Sequence, residues 1–163
     1  MTPGVLVIGL GNEFRSDDGL GLCAAREVQR RGIPGVTVVE RSGEGTGLLE
    51  TWKEAPCVLL IDAVQPGHLP GGVHRIDCHH DPVPHSLFRS SSHTFGVSEA
   101  IALARSLDSL PRVLILYGIE GCTFVPGRGL SDAVVRSIPD LLAWIGEDIA
   151  ELMHTKEPAR GQP

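Results

Sequence analysis

The sequence has no apolar run approaching the roughly 20 residues of a bilayer-spanning helix, so no membrane span is expected. It also has no excess of positive charge. Fourteen Lys and Arg stand against 20 Asp and Glu, and the formal net charge is −6. General nucleic-acid binding needs a basic footprint, and a membrane-surface helix needs a basic stripe, so neither partner is expected. The opening "MTPGVLVIGL" has no basic leader and enters an apolar segment at once, unlike a secretory signal. The four cysteines (Cys23, Cys57, Cys78, Cys122) include no C-x-x-C pair. That favours free thiols in a reducing cytoplasm over a disulfide framework or a zinc knuckle. There is no G-x-S-x-G elbow, no H-E-x-x-H helix and no Gly-Lys-Ser/Thr of a Walker loop.

What is present suits one domain. The chain has 163 residues, 42% of them hydrophobic and 21% charged, without internal repeat. Apolar runs at Val5–Gly9, Val36–Glu40, Cys57–Val64 and Arg112–Ile119 read as strands, and Val73–Asp77 reads as an edge strand. Between them, helical spacing predicts Gly19–Arg31, with Leu20, Ala24 and Val28 on one stripe. It also predicts a short helix from Leu48 to Lys53, a helix over His93–Leu107 begun near Ser92 or His93, and a last helix over Asp132–His154 capped by Ser131. The turn "SGEGTG" precedes the second helix, and "CHHDPVPHSLFRSSSH" is a long loop. Alternating elements with apolar central strands predict an α/β three-layer sandwich. Its central sheet would be twisted, mostly parallel and of about five strands, with helices on both faces. Residues 1–154 form the expected domain, and 155–163 an apolar-poor, flexible tail.

The stretch "GLGNEFRSDDGLG" (Gly9–Gly21) starts like a phosphate loop but departs from one. A dinucleotide fingerprint needs a third glycine where Phe14 stands, although Glu40 supplies the acid at the end of the second strand. Asp17 and Asp18 would repel a pyrophosphate from the helix start. The bland alternative is that Ser16 or Asp17 caps that helix. No nucleotide is expected.

In a parallel sheet the loops beyond the carboxyl ends of the strands share one rim, where ligands bind. Asp18 follows the first strand. Asp62 lies near the end of the most apolar strand, where a charge is expensive unless paired or cation-bound. His93 falls at a loop–helix junction, which belongs to the same rim if that helix returns the chain to the next parallel strand. Two carboxylates and an imidazole make a borderline divalent site suited to nickel, zinc or manganese, with open positions for substrate or water. Each residue also has an ordinary reading, as a backbone partner or a polar helix start. His79 and His80 are adjacent and poorly placed to chelate one ion. His68, His74, His85 and His154 read as surface residues, and Cys122 has no evident base.

Taken in order, "VLVIGLGNEFRSDDGLG", "LLIDAV", "SSHTFGVSEAI" and "LYGIEGCTFVPGRGLS" resemble the nickel–iron hydrogenase maturation endopeptidases. The resemblance runs from Val5 to about Ile145. It implies a cytoplasmic endopeptidase that removes a C-terminal extension from the hydrogenase large-subunit precursor. It implies nickel carried by that substrate, with Asp18, Asp62 and His93 as its ligands and as the candidates for catalysis. Where many members carry D-G-G-T-x-G, this chain reads "ERSGEGTG", so Gly43, Gly45 and Gly47 are the implied substrate-positioning residues. A monomer is expected for a protein that docks a large precursor. The rival readings are a non-cutting metallochaperone or scaffold and a nucleotide-binding module.

Overall fold

A computed structural model describes residues 4–65, 67, 69–84 and 95–155. The expected tail beyond Thr155, and His93 with it, lie outside the described residues. Five strands form one sheet in the order β2-β1-β3-β5-β4. They are β1 (Val5–Leu10), β2 (Val36–Arg41), β3 (Cys57–Val64), β4 (Val73–Asp77) and β5 (Val113–Glu120). The first four in that order are parallel, and β4 closes one edge antiparallel to β5.

The strand types follow from burial. β1 is buried along its whole length, and in β3 only Asp62 interrupts the burial. Such runs lack the two-residue alternation of a one-sided sheet because both faces are covered. On one face Val7, Leu59, Ile61, Ile115 and Tyr117 pack on α1 (Leu20–Arg30) and α4 (Asp132–His154). On the other, Ile8, Val58, Leu60, Leu114 and Leu116 pack on α2 (Gly45–Trp52) and α3 (Val97–Ser106). The predicted stripe of Leu20, Ala24 and Val28 is buried.

Local departures have physical causes. The first helix is preceded by a separate 3-10 turn, Ser16–Gly19, and its N-cap is Gly19 without a side-chain cap. Neither Ser16 nor Asp17 caps it. α2 begins at Gly45, so half of the expected turn is helix. Gly45 donates its N–H to the Phe95 carbonyl (2.9 Å), and this backbone contact fixes the helix start without a side-chain cap. Ser131 is the N-cap position of α4, as expected, but its hydroxyl turns away to Asp17. No described helix is long and apolar enough to cross a membrane.

The antiparallel edge is locked to α4 by polar contacts. Arg75 of β4 holds both oxygens of Asp148 at 2.9 and 2.7 Å, and the Tyr117 hydroxyl donates to the same carboxylate. Burial, then the Asp148 contact, push the Tyr117 phenol well above its ordinary pKa. Replacing Tyr117 by Phe should cost about 1 kcal/mol, since Arg75 still satisfies Asp148. Thermal melting should show a fall of roughly 3 °C, with the rim chemistry untouched.

Candidate functional site

The strand order reverses direction at β1. From there the chain goes to β2 on one side, and later to β3 on the other. The crevice beyond the carboxyl ends of β1 and β3 is the topological switch point, where open α/β sheets hold ligands. Asp18 is delivered there by the 3-10 turn after β1, and Asp62 by the end of β3.

Two glycines make this delivery possible. Gly11 has φ +138°, and a Cβ on it would lie 1.8 Å from the Asp18 carbonyl oxygen. Gly21 opens α1 against the strand ends, where a Cβ would lie 2.2 Å from the Leu10 carbonyl oxygen and 2.4 Å from that of Ile61. Gly21 therefore supplies the close helix-to-strand approach for which the fingerprint uses its third glycine. Between the two, Asn12 organises the turn. Its N–H donates to the Asp18 carboxylate (3.1 Å), and its side-chain oxygen accepts from Phe14 N–H (2.9 Å).

Asp62 lies within electrostatic reach of Asp18. Its backbone faces Gly118 of β5. Burial first, and the Asp18 charge second, raise the Asp62 carboxyl well above its usual pKa. The residue keeps some surface, but the flanking Ile61 and Ala63 are buried. Two acids sharing a low-dielectric crevice repel each other, and a cation relieves both the burial and the repulsion. The donor set therefore fits a divalent ion, with carboxylate oxygens as ligands. No group of three metal-ligating side chains occurs among the described residues, and the third expected ligand, His93, lies outside them. The structure thus brings Asp18 and Asp62 together and leaves His93 unplaced.

The neighbouring acid has a different role. Asp17 is fully buried. It accepts N–H groups of Cys122 (2.7 Å), Thr123 (3.2 Å) and Ser131 (2.7 Å), and the Ser131 hydroxyl (2.9 Å). Burial pushes its pKa up, but these donors outweigh it and bring the carboxyl below its ordinary range. Asp17 thus fastens the loop after β5 to the loop after β1. Residues adjacent in a helical turn point about 100–120° apart, so one acid of the pair turns inward and the other toward the crevice. Ser16 at φ 54° sets that phase.

Glu120 does comparable work at the end of β5. Its carboxylate accepts Leu69 N–H (3.0 Å) and meets His74 Nε2 (3.0 Å), holding the loop after β3. His74 is thus a side-chain partner of Glu120 rather than a bare surface residue. Glu120 carries no composition signal. The ring of His79 is bound to the Pro111 carbonyl (2.7 Å), and His80 to Asp77 (3.1 Å). The two histidines face separate partners. His68 and His85 lie outside the described residues.

Of the three glycines expected to position substrate, Gly43 is half-buried at φ +90°. Gly45 is buried, and a Cβ there would lie 2.3 Å from the Phe95 ring. Gly47 has open space around it. Glu40, the acid that a dinucleotide ribose would use, is taken by Arg26 at 2.7 Å.

A sequence model of the hydrogenase maturation protease family matches residues 23–147. The chain belongs to that family. The match contains Asp62 and begins five residues after Asp18. Among relatives, the hydrogenase expression/formation protein HupD of Thiocapsa roseopersicina is 32% identical over 122 residues, 72% of this chain and 54% of the relative. HupM of Azotobacter chroococcum is 31% identical over 123 residues, 73% of this chain and 58% of the relative. The chain thus spans little more than half the length of the relatives it matches. The fold agrees with the Escherichia coli hydrogenase maturating endopeptidase HybD at a TM-score of 0.72, with 20% identity and 93% of each chain covered. It agrees with the [NiFe] hydrogenase maturation protease HybD of Thermococcus kodakarensis at 0.67, with 25% identity, over 92% of this chain and 99% of that one. The α/β sandwich and the family resemblance of the sequence are both upheld.

Proposed function

We propose that this chain is an endopeptidase that removes the C-terminal extension from the large-subunit precursor of a NiFe hydrogenase, reading the nickel that the precursor carries. The observation that supports this most is the pair of carboxylates, Asp18 and Asp62, at the switch-point crevice of a member of the maturation protease family. Asp18 and Asp62 would offer oxygens to the precursor's nickel, and His93 an imidazole nitrogen. A nickel ion so held supplies positive charge that can polarise a peptide carbonyl or a water.

The chain's own residues supply the geometry. Asn12 N–H orients the Asp18 carboxylate. Burial beside β5 and the nearby Asp18 charge raise the affinity of Asp62 for a proton or a cation. Either carboxylate, when not engaged by the metal, could serve as general base. Gly43, Gly45 and Gly47, beside the crevice-facing end of β2, position the polypeptide. The protein works in the cytoplasm, as a monomer, on a folded precursor.

The test is incubation with nickel-loaded and nickel-free precursor, followed by intact mass. Loss of the extension from the loaded form alone is expected. An Asp18→Asn or His93→Ala variant, shown folded by circular dichroism, should slow that loss by at least about 100-fold. A precursor that binds but keeps its full mass would identify a chaperone or scaffold instead. Normal processing by both variants would overturn the site.

A further inference from the structure

We propose that Phe14, Val125 and Arg128 form the surface that grips an extended, carboxylate-bearing segment of the polypeptide substrate beside the crevice. This deepens the processing reading and rests on it. Phe14 is 53% exposed and Val125 61% exposed. The Arg128 guanidinium lies 4.6 Å from the centre of the Phe14 ring. Arg128 is exposed and has no ion pair among the described residues. In a chain of net charge −6, a solvent-facing cation stacked on an aromatic ring is a local reversal of sign.

The patch is held in shape by backbone contacts between two rim loops. Gly127 N–H donates to the Phe14 carbonyl (2.8 Å), and Ser16 N–H to the Gly127 carbonyl (2.8 Å). The Ser16 hydroxyl donates to the Val125 carbonyl (2.8 Å). Arg15 and Gly127 form a parallel bridge. The ring and the guanidinium are therefore placed before any partner arrives, which lowers the ordering cost of binding. Phe14 and Arg15 line the same cavity as Asp18, so a chain lying across the patch leads directly to the carboxylate.

These features select the occupant. A guanidinium lying on a ring keeps its N–H edge free for a bidentate carboxylate. The exposed Phe14 and Val125 offer apolar contact to the side chain next to it. The partner is a polypeptide with an acidic residue beside an apolar one, rather than a basic or purely polar segment.

The experiment measures two quantities on the nickel-loaded large-subunit precursor from the same organism: its affinity for the protein, and its loss of mass. Arg128→Glu and Phe14→Ala should each weaken binding about tenfold or more, leaving the cleavage rate at saturation within about twofold. Added salt should weaken wild-type binding and affect Arg128→Glu less. Arg31→Glu, at the C-cap of α1, makes the same charge change at the other end of that helix and should bind normally. Wild-type affinity in both Arg128→Glu and Phe14→Ala would overturn the surface. Equal weakening by Arg31→Glu would do the same, since it would show a global charge effect. If the precursor binds the patch yet never loses mass, the surface stands and the processing reading falls. If wild-type protein does not bind it, both fall.

Discussion

Replacing Asp62 by asparagine should give a protein that resists heat better than the wild type and processes precursor at least about 100-fold more slowly. Asparagine keeps the shape but removes a charge that burial and Asp18 both oppose. The linkage has a definite sign. The folded pKa of Asp62 lies above its unfolded value, so between the two the native state holds the extra proton. Wild-type stability from this group is therefore present at low pH and is lost as pH rises from about 4 through the raised folded value. Asp17 and Glu120 act in the opposite sense. Their folded pKa values are depressed, so their contribution is present above the ordinary carboxylate range and is lost as pH falls below it. Melting curves from pH 3 to 8 should separate the two windows. The asparagine variant should lack only the decline above about pH 4. A variant that melts lower than wild type at pH 7, or that cleaves normally, would refute the assignment of Asp62 as a functional charge held at a structural cost.

The second large effect is on stability. Asp17→Ala should lower unfolding free energy by about 3–5 kcal/mol, because the fully buried carboxylate is the shared acceptor of the part-buried N–H groups of Cys122, Thr123 and Ser131, which lose it together. In a chain of this length that is roughly 10 °C in melting temperature. Asp17→Asn should cost less. Its amide keeps one acceptor oxygen but presents an NH2 group to donors that already point inward. Hydrogen exchange should show the amides of 122–131 unprotected in the alanine variant, with β1 and β3 still slow. Substitution of Asp18, one residue on, should leave those amides protected. If both variants melt alike, the division of labour between the adjacent acids is wrong.

Much of the sheet could be read from the sequence because burial on two faces writes an unbroken apolar run. Cys57–Val64, Val73–Asp77 and Asp132–His154 stand where the pattern put them. Asp62 was legible for the same reason, as the single acid in such a run. The division between Asp17 and Asp18 was not. It depends on the phase of a single 3-10 turn, and its evidence sits more than 100 residues away, in the donors of the loop after β5. The start of α2 was likewise hidden, since Gly45 is fixed by Phe95 rather than by a local cap. Gly21 looked like part of an amphipathic helix. Only the approach of the Leu10 and Ile61 carbonyls shows that nothing larger fits. The latch formed by Glu120 needs a partner from β4 and so leaves no local trace.

The bonds from Asp17 to residues 122–131 close sequence separations of 105 to 114 positions. Contacts that distant form only after the intervening chain has lost most of its freedom. Asp17 cannot find its donors until β5 has joined β3, so the crevice takes its final shape among the last events of folding. An emerging chain that has made only β1, β2 and β3 would expose Asp18 and Asp62 on an unbuttressed rim. The paired-carboxylate crevice is thus assembled with the completed fold rather than with the first half of the polypeptide.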